Sequence, residues 1–203
     1  MKKIKKWLFP LLVILLIPLT LAGCSSKQTV ASSKDRVWYL FTDASEPKWL
    51  DDIIIINGNQ VTDYGIGTNL PYKDFKGKNA DQVKEFIEKY NKKVSEDDTI
   101  PSTKYKVTYD VYTDDNGKPV IEGLMTQDER PLIALKGKES VTVDGSKLYG
   151  FRSIKDGGGY TTLLQNELLV TNDKNIALDT KGKNINQYKV SDYSNFVTQD
   201  NDN

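Results

Sequence analysis

The sequence predicts a mainly β fold: an antiparallel barrel or strongly curled sheet carrying one packed helix. Three observations lead there. Short β-branched and aromatic runs recur along residues 37–178. Turn dipeptides punctuate them about every ten residues. Only one segment, 79–94, keeps a helical period. An α+β arrangement is the alternative, should the helix share a layer with a smaller sheet.

Val37 to Phe41 (VWYLF) is apolar at every position and reads as a strand buried on both faces. Ile53 to Ile56 follows, then Asn57-Gly58, a strong hairpin signal. Strands are therefore expected at about 52–56 and 59–64. Residues 79–94 place Val83, Phe86, Ile87, Tyr90 and Val94 on one helical face. Asn79 is suited to cap its start, with Gln82 as the reciprocal partner. From residue 104 the period becomes two: Tyr105, Val107, Tyr109 and Val111 alternate with Lys104, Lys106, Thr108 and Asp110. Asp114-Asp115-Asn116-Gly117 makes a turn, and Val120 to Met125 returns. Further strands are expected near 132–136, 140–143, 147–154, 160–164, 168–171 and 175–178.

The 203 residues divide into a lead segment (1–23), a polar tether (24–36), one β-rich domain (37–185) and a partly disordered tail (186–203). The lead segment begins with four lysines and continues without charge from Trp7 to Gly23. A basic start, an apolar middle and small residues at the end define a secretory signal. Removing it takes away four lysines and no acids from a chain of 28 basic and 28 acidic residues. The remainder is mildly acidic, which argues against nucleic-acid binding.

Leu21-Ala22-Gly23-Cys24 resembles the lipobox of bacterial lipoproteins, and Cys24 is the only cysteine in the chain. The resemblance implies diacylglyceryl attachment to the Cys24 sulfur, cleavage before it, and a lipid-anchored protein on the extracytoplasmic face of the membrane. The wealth of Lys, Asn, Asp and Ile points to a low-GC, Gram-positive envelope. The Trp38 strand followed by the Asn57-Gly58 hairpin is loosely similar to the start of lipocalin-like domains, which implies a carrier of a small apolar ligand.

Chemistry is narrowed by what is missing. The chain has no histidine, so a Ser-His-Asp triad is excluded, and acylation would consume the one thiol. Acid pairs occur at Asp51-Asp52, Asp97-Asp98, Asp114-Asp115 and Asp128-Glu129. Neighbours on a strand point to opposite faces, so no pair alone offers two carboxylates across a cleft. Aligning Gly117 with the invariant glycine of a calcium loop puts Tyr112 at the first ligand position and Gly123 at the last, and both are wrong. Gly65-Ile66-Gly67 lacks the third glycine of a dinucleotide loop, and Gly157-Gly158-Gly159 reads as a hairpin loop. Trp38, Tyr39, Phe41 and Trp49 are candidates for a ligand pocket as well as for the core.

No catalytic, metal or cofactor residue is assigned. The sequence favours a non-enzymatic envelope lipoprotein that binds a protein partner or ligand outside the membrane. Release of Leu16 to Gly23 (LIPLTLAG) as a peptide pheromone and a carboxylate-based wall hydrolase are the other readings.

Overall fold

The computed structural model describes residues 28–42, 47, 49–67, 70–127, 131–154, 167–179 and 185–189. Its strands are β1 (Gln28–Thr29), β2 (Arg36–Phe41), β3 (Asp52–Asn57), β4 (Gln60–Gly65), β5 (Ser102–Thr113), β6 (Pro119–Thr126), β7 (Pro131–Val143), β8 (Ser146–Ile154), β9 (Glu167–Thr171), β10 (Ile176–Ala177) and β11 (Ile185–Lys189). The helix α1 spans Ala80–Asn91. Strands β2 to β9 pair antiparallel with their neighbours in chain order, and β9 returns to β2 through Tyr39↔Val170 and Phe41↔Leu168. The result is a closed eight-stranded up-and-down barrel. Closure removes the free edges that an open sheet would leave.

Strand β5 makes closure possible by being long. Its first half pairs with β4 (Gln60↔Lys106 to Tyr64↔Ser102), and its second half pairs with β6 (Val107↔Thr126 onward). Beyond the end of β4, β11 takes the vacated edge of β5 in parallel, from Ile185↔Tyr109 to Lys189↔Thr113. That pairing explains why Asp110, expected on a solvated face, is buried, and Tyr112 with it. Asn186 donates to Asp110 Oδ1 at 3.0 Å, and Tyr188 stacks on Tyr112.

Alternation sorts the apolar side chains into two layers. Trp38, Leu40, Ile54, Ile56, Val61, Val107, Tyr109, Leu124, Ile133, Leu135, Phe151 and Leu169 form one cluster, to which all eight barrel strands contribute. This is the interior. Tyr39, Phe41, Ile53, Ile55, Tyr64, Leu168 and Val170 point the other way, against α1, Ile66 and the 70–75 segment. Strand β2 is thus buried on both faces, as its unbroken apolar run predicts. Each fully buried side chain of this size contributes roughly 1.5–3 kcal/mol.

Local chemistry sets the ends of the elements. Asn79 Oδ1 accepts from Gln82 N–H (2.9 Å), and Gln82 Oε1 accepts from Asn79 N–H (3.0 Å), completing the capping box. Val83 and Ile87 are buried, and Phe86 and Tyr90 pack beside them. The β3–β4 turn is Gly58-Asn59, one residue later than the sequence reading, with Asn57 paired to Gln60. Asp144-Gly145 turns β7 into β8 with both φ values positive, the type I′ pattern. The expected strands at 132–136 and 140–143 are one strand, β7. Gly137, at φ 59°, is an extra residue between Lys136 and Lys138 that kinks it without breaking it. At Gly150 the backbone of β9 comes so close that a Cβ would lie 1.9 Å from Leu169 O.

The expected tether at 24–36 needs correction over its described part. Val30 and Ser33 are buried, β1 pairs in parallel with β10, and Ser33 O accepts from Gly58 N–H (2.8 Å). Val30 and Ile176 join the interior cluster, so these segments plug the barrel end near Arg36 and Gly58. The domain therefore begins before residue 37. The tail expected at 186–203 contributes Asn186–Lys189 to β11. The lead segment, Cys24, the strand expected at 160–164, Asp128-Glu129 and the Gly157-Gly158-Gly159 loop lie outside the described residues.

Candidate functional site

Helix α1 lies across the outer face of β3, β4 and β5, and a groove of about 770 Å³ runs along the junction. Two periods meet there. On the helix Lys84, Ile87, Glu88 and Asn91 share one stripe at i, i+3, i+4 and i+7. On the sheet the outward positions are Ile55 and Asn57 of β3, Gln60, Thr62 and Tyr64 of β4, and Ser102, Lys104 and Lys106 of β5. Ile55, Tyr64, Ile87 and Ile100 are buried and form the floor. The polar groups form the walls.

The two ends of the groove are fixed by hydrogen bonds. At one end Asn91 binds the backbone of Ile100 with both side-chain atoms: Nδ2 donates to the carbonyl (3.0 Å), and Oδ1 accepts from the N–H (2.8 Å). This clamps the last turn of α1 to the chain entering β5. At the other end Asn57 Nδ2 donates to Asp35 Oδ1 (3.3 Å). Burial and then the Glu88 carboxylate push the Tyr64 phenol above its ordinary range, so it keeps its proton and can donate. Among the described residues Lys84 makes only a long contact, to the exposed Asp81 (3.6 Å). Such an exposed pair holds little energy and leaves the ammonium available.

The barrel interior is the second place with unusual chemistry. Glu122 of β6 is fully buried and shares its inward face with Leu124. Its Oε2 accepts from Asp179 N–H (3.2 Å), while Oε1 has no hydrogen-bond partner among the described residues. Burial, the largest cause, pushes its carboxyl up to about 8. The Trp38 indole N–H is also buried without a partner. Arg36 lies over the Trp38 ring, 5.8 Å from its centre, and pairs with Asp173 (3.0 Å). Lys138 closes the same end by donating to the carbonyls of Lys174 (3.1 Å) and Ile176 (2.9 Å).

The residues singled out from sequence fall in ordinary structural places. Asp114 Oδ1 accepts from Asn116 and Lys118 N–H and shapes the β5–β6 turn. Asp98 accepts from Ser95 Oγ in a single helical turn, and Asp51 O accepts from Ile66 and Gly67. Trp38 faces the interior, and Tyr39 and Phe41 face the helix layer. Trp49 is 53% exposed and forms a bridge with Pro71. The groove residues carry no motif: Lys84, Lys104 and Lys106 read from sequence as solvated positions. Glu122 did leave a trace, an acid on the same parity as Leu124 in a returning strand.

The fold thus defines a closed β-barrel with one helix packed on its outside. Comparison with protein-family models, with curated proteins and with solved structures gave no match.

Proposed function

We propose that this chain is a lipid-anchored, non-enzymatic binding protein of the cell envelope, held by acylated Cys24 on the extracytoplasmic face and engaging its ligand in the α1–sheet groove. The observation that supports the reading best is the groove itself. It joins a buried apolar floor to amide, hydroxyl and ammonium groups from four elements, a concave place where convergent polar groups can orient a ligand. Its two acids, Asp35 and Glu88, are both exposed, so neither has the buried setting that tunes a catalytic carboxyl. Metabolic labelling tests the anchor. Radiolabelled palmitate is expected in the wild-type protein and absent from Cys24→Ala. Label retained by the variant would defeat the assignment.

A second reading, a lipocalin-like carrier of a small apolar ligand, draws on the closed eight-stranded meander. Eight strands leave an interior that side chains just fill or that holds one small ligand. Here Trp38, Leu40, Ile54, Ile56, Phe151 and Leu169 occupy it, each no more than 2% exposed. The carrier reading therefore needs an apolar fluorophore to bind with one-to-one stoichiometry and take energy from Trp38. Absence of transfer that depends on Trp38 (measured against Trp38→Phe) would remove it.

A further inference from the structure

We infer that the α1–sheet groove selects a hydroxylated anion, a polyol or sugar bearing phosphate, with Lys104, Lys106 and Lys84 taking the charge. The inference rests on the groove being the binding site and adds the chemistry of what enters it.

Lys104 and Lys106 sit two residues apart on the outer face of β5, opposite Thr62 and Gln60 of β4. Side chains at i and i+2 of a strand are about 6.5–7 Å apart on one face. The two ammonium groups can therefore straddle one phosphate or meet two charges along an extended chain. Neither lysine has an ion-pair partner among the described residues. Lys84 approaches from the helix, so cations line both walls. The two acids in the groove, Asp35 and Glu88, offset part of this charge, and three lysines against two carboxylates leave it cationic by one. Asp35 is occupied by Asn57 Nδ2, and Glu88 lies by the Tyr64 phenol.

Beside the charges the groove presents hydrogen-bonding groups suited to hydroxyls. Gln60 offers both a donor and an acceptor, and Thr62 and Tyr64 add hydroxyls above the buried floor. A purely apolar ligand would leave these groups and the lysines unsolvated. A neutral sugar would leave the lysines unused. A phosphate-bearing polyol uses both, whether it comes as a free molecule or as a lipid headgroup.

The test titrates the isotope-labelled full chain in detergent micelles with glycerol 3-phosphate, then with maltohexaose, following amide shifts. Phosphatidylglycerol or phosphatidylcholine doped into the micelles, read by the same amide shifts, is the lipid arm. Glycerol 3-phosphate is expected to shift amides around Gln60, Lys104 and Lys106, with affinity that falls as salt rises. The double variant Lys104→Glu with Lys106→Glu is expected to weaken binding at least tenfold, while Lys118→Glu, in the β5–β6 turn, leaves it unchanged. Groove shifts with phosphatidylglycerol that phosphatidylcholine does not produce, lost in the double variant, identify the headgroup as the source. Equal shifts with the two lipids leave the free molecule. Equal binding by the double variant, with its amide spectrum intact, overturns the inference. Maltohexaose binding the groove as tightly as glycerol 3-phosphate also overturns it, yet keeps the groove as a binding site. No shift in the groove with either probe overturns the inference and removes the support for the groove reading.

Discussion

At the scale of single residues, Glu122 has a large energetic consequence. Its ordinary carboxyl value of 4.5 is raised to about 8 in the fold, chiefly by burial. The folded state therefore holds a proton that the unfolded state has released over that window. The sign follows directly: stability falls as pH rises from 4.5 toward 8, by an amount on the order of 4 kcal/mol, and flattens above it. Glu122→Gln should keep an acceptor for Asp179 N–H while abolishing the titration. Urea unfolding at pH 5 and pH 9 is expected to show wild type losing stability between them and the variant holding level. The variant is then the more stable at pH 9, and parallel profiles would contradict this. Sequence exposes little of this behaviour. An acid in a returning strand is ordinary on a solvated face, and only the register Glu122↔Leu135 places it inside. Trp38, by contrast, could be foreseen as buried from its run but not as an indole without a partner.

At the scale of elements, the helix was the most legible part of the chain. Its apolar spacing, its capping residues and its dipole-matched ends all act within a dozen neighbours. Asn79→Ala removes one half of the capping box and is expected to cost about 1 kcal/mol, read as a lowered urea midpoint at unchanged slope. A changed slope would mean that α1 had come away from the sheet altogether. The strands were legible where periodicity or a turn dipeptide marked them. The errors share a cause: pairing with a distant partner. Gly137 looks like a strand end, yet a bulge in an otherwise continuous ladder absorbs it. Residues 28–33 are polar and small, and only contact with 174–178 and Gly58 orders them. Ile185 to Lys189 has too few large apolar residues to announce a strand, but the free edge of β5 supplies its hydrogen bonds. The groove was illegible for the same reason. Each wall looks like an unremarkable solvated face until α1 is laid across the sheet.

At the scale of the whole molecule, the two-faced burial of β2, β3 and β9 ties the barrel and the helix layer into one unit. A change in either layer is felt in the other. Removing the Ile54 side chain (Ile54→Ala) would open the interior on a strand whose opposite face, through Ile53 and Ile55, supports α1. A cost of about 2–5 kcal/mol is the usual range for such a deletion.

The plug at the barrel end has a further consequence once Cys24 is acylated as proposed. Three residues separate that sulfur-bearing position from Gln28, where pairing with β10 begins, a reach of at most about 14 Å. A protease must draw several consecutive residues into its cleft, and so short a stalk between bilayer and barrel leaves no room for one. The module would stay on the cell when neighbouring proteins on longer stems are shaved off. It would leave only with its lipid.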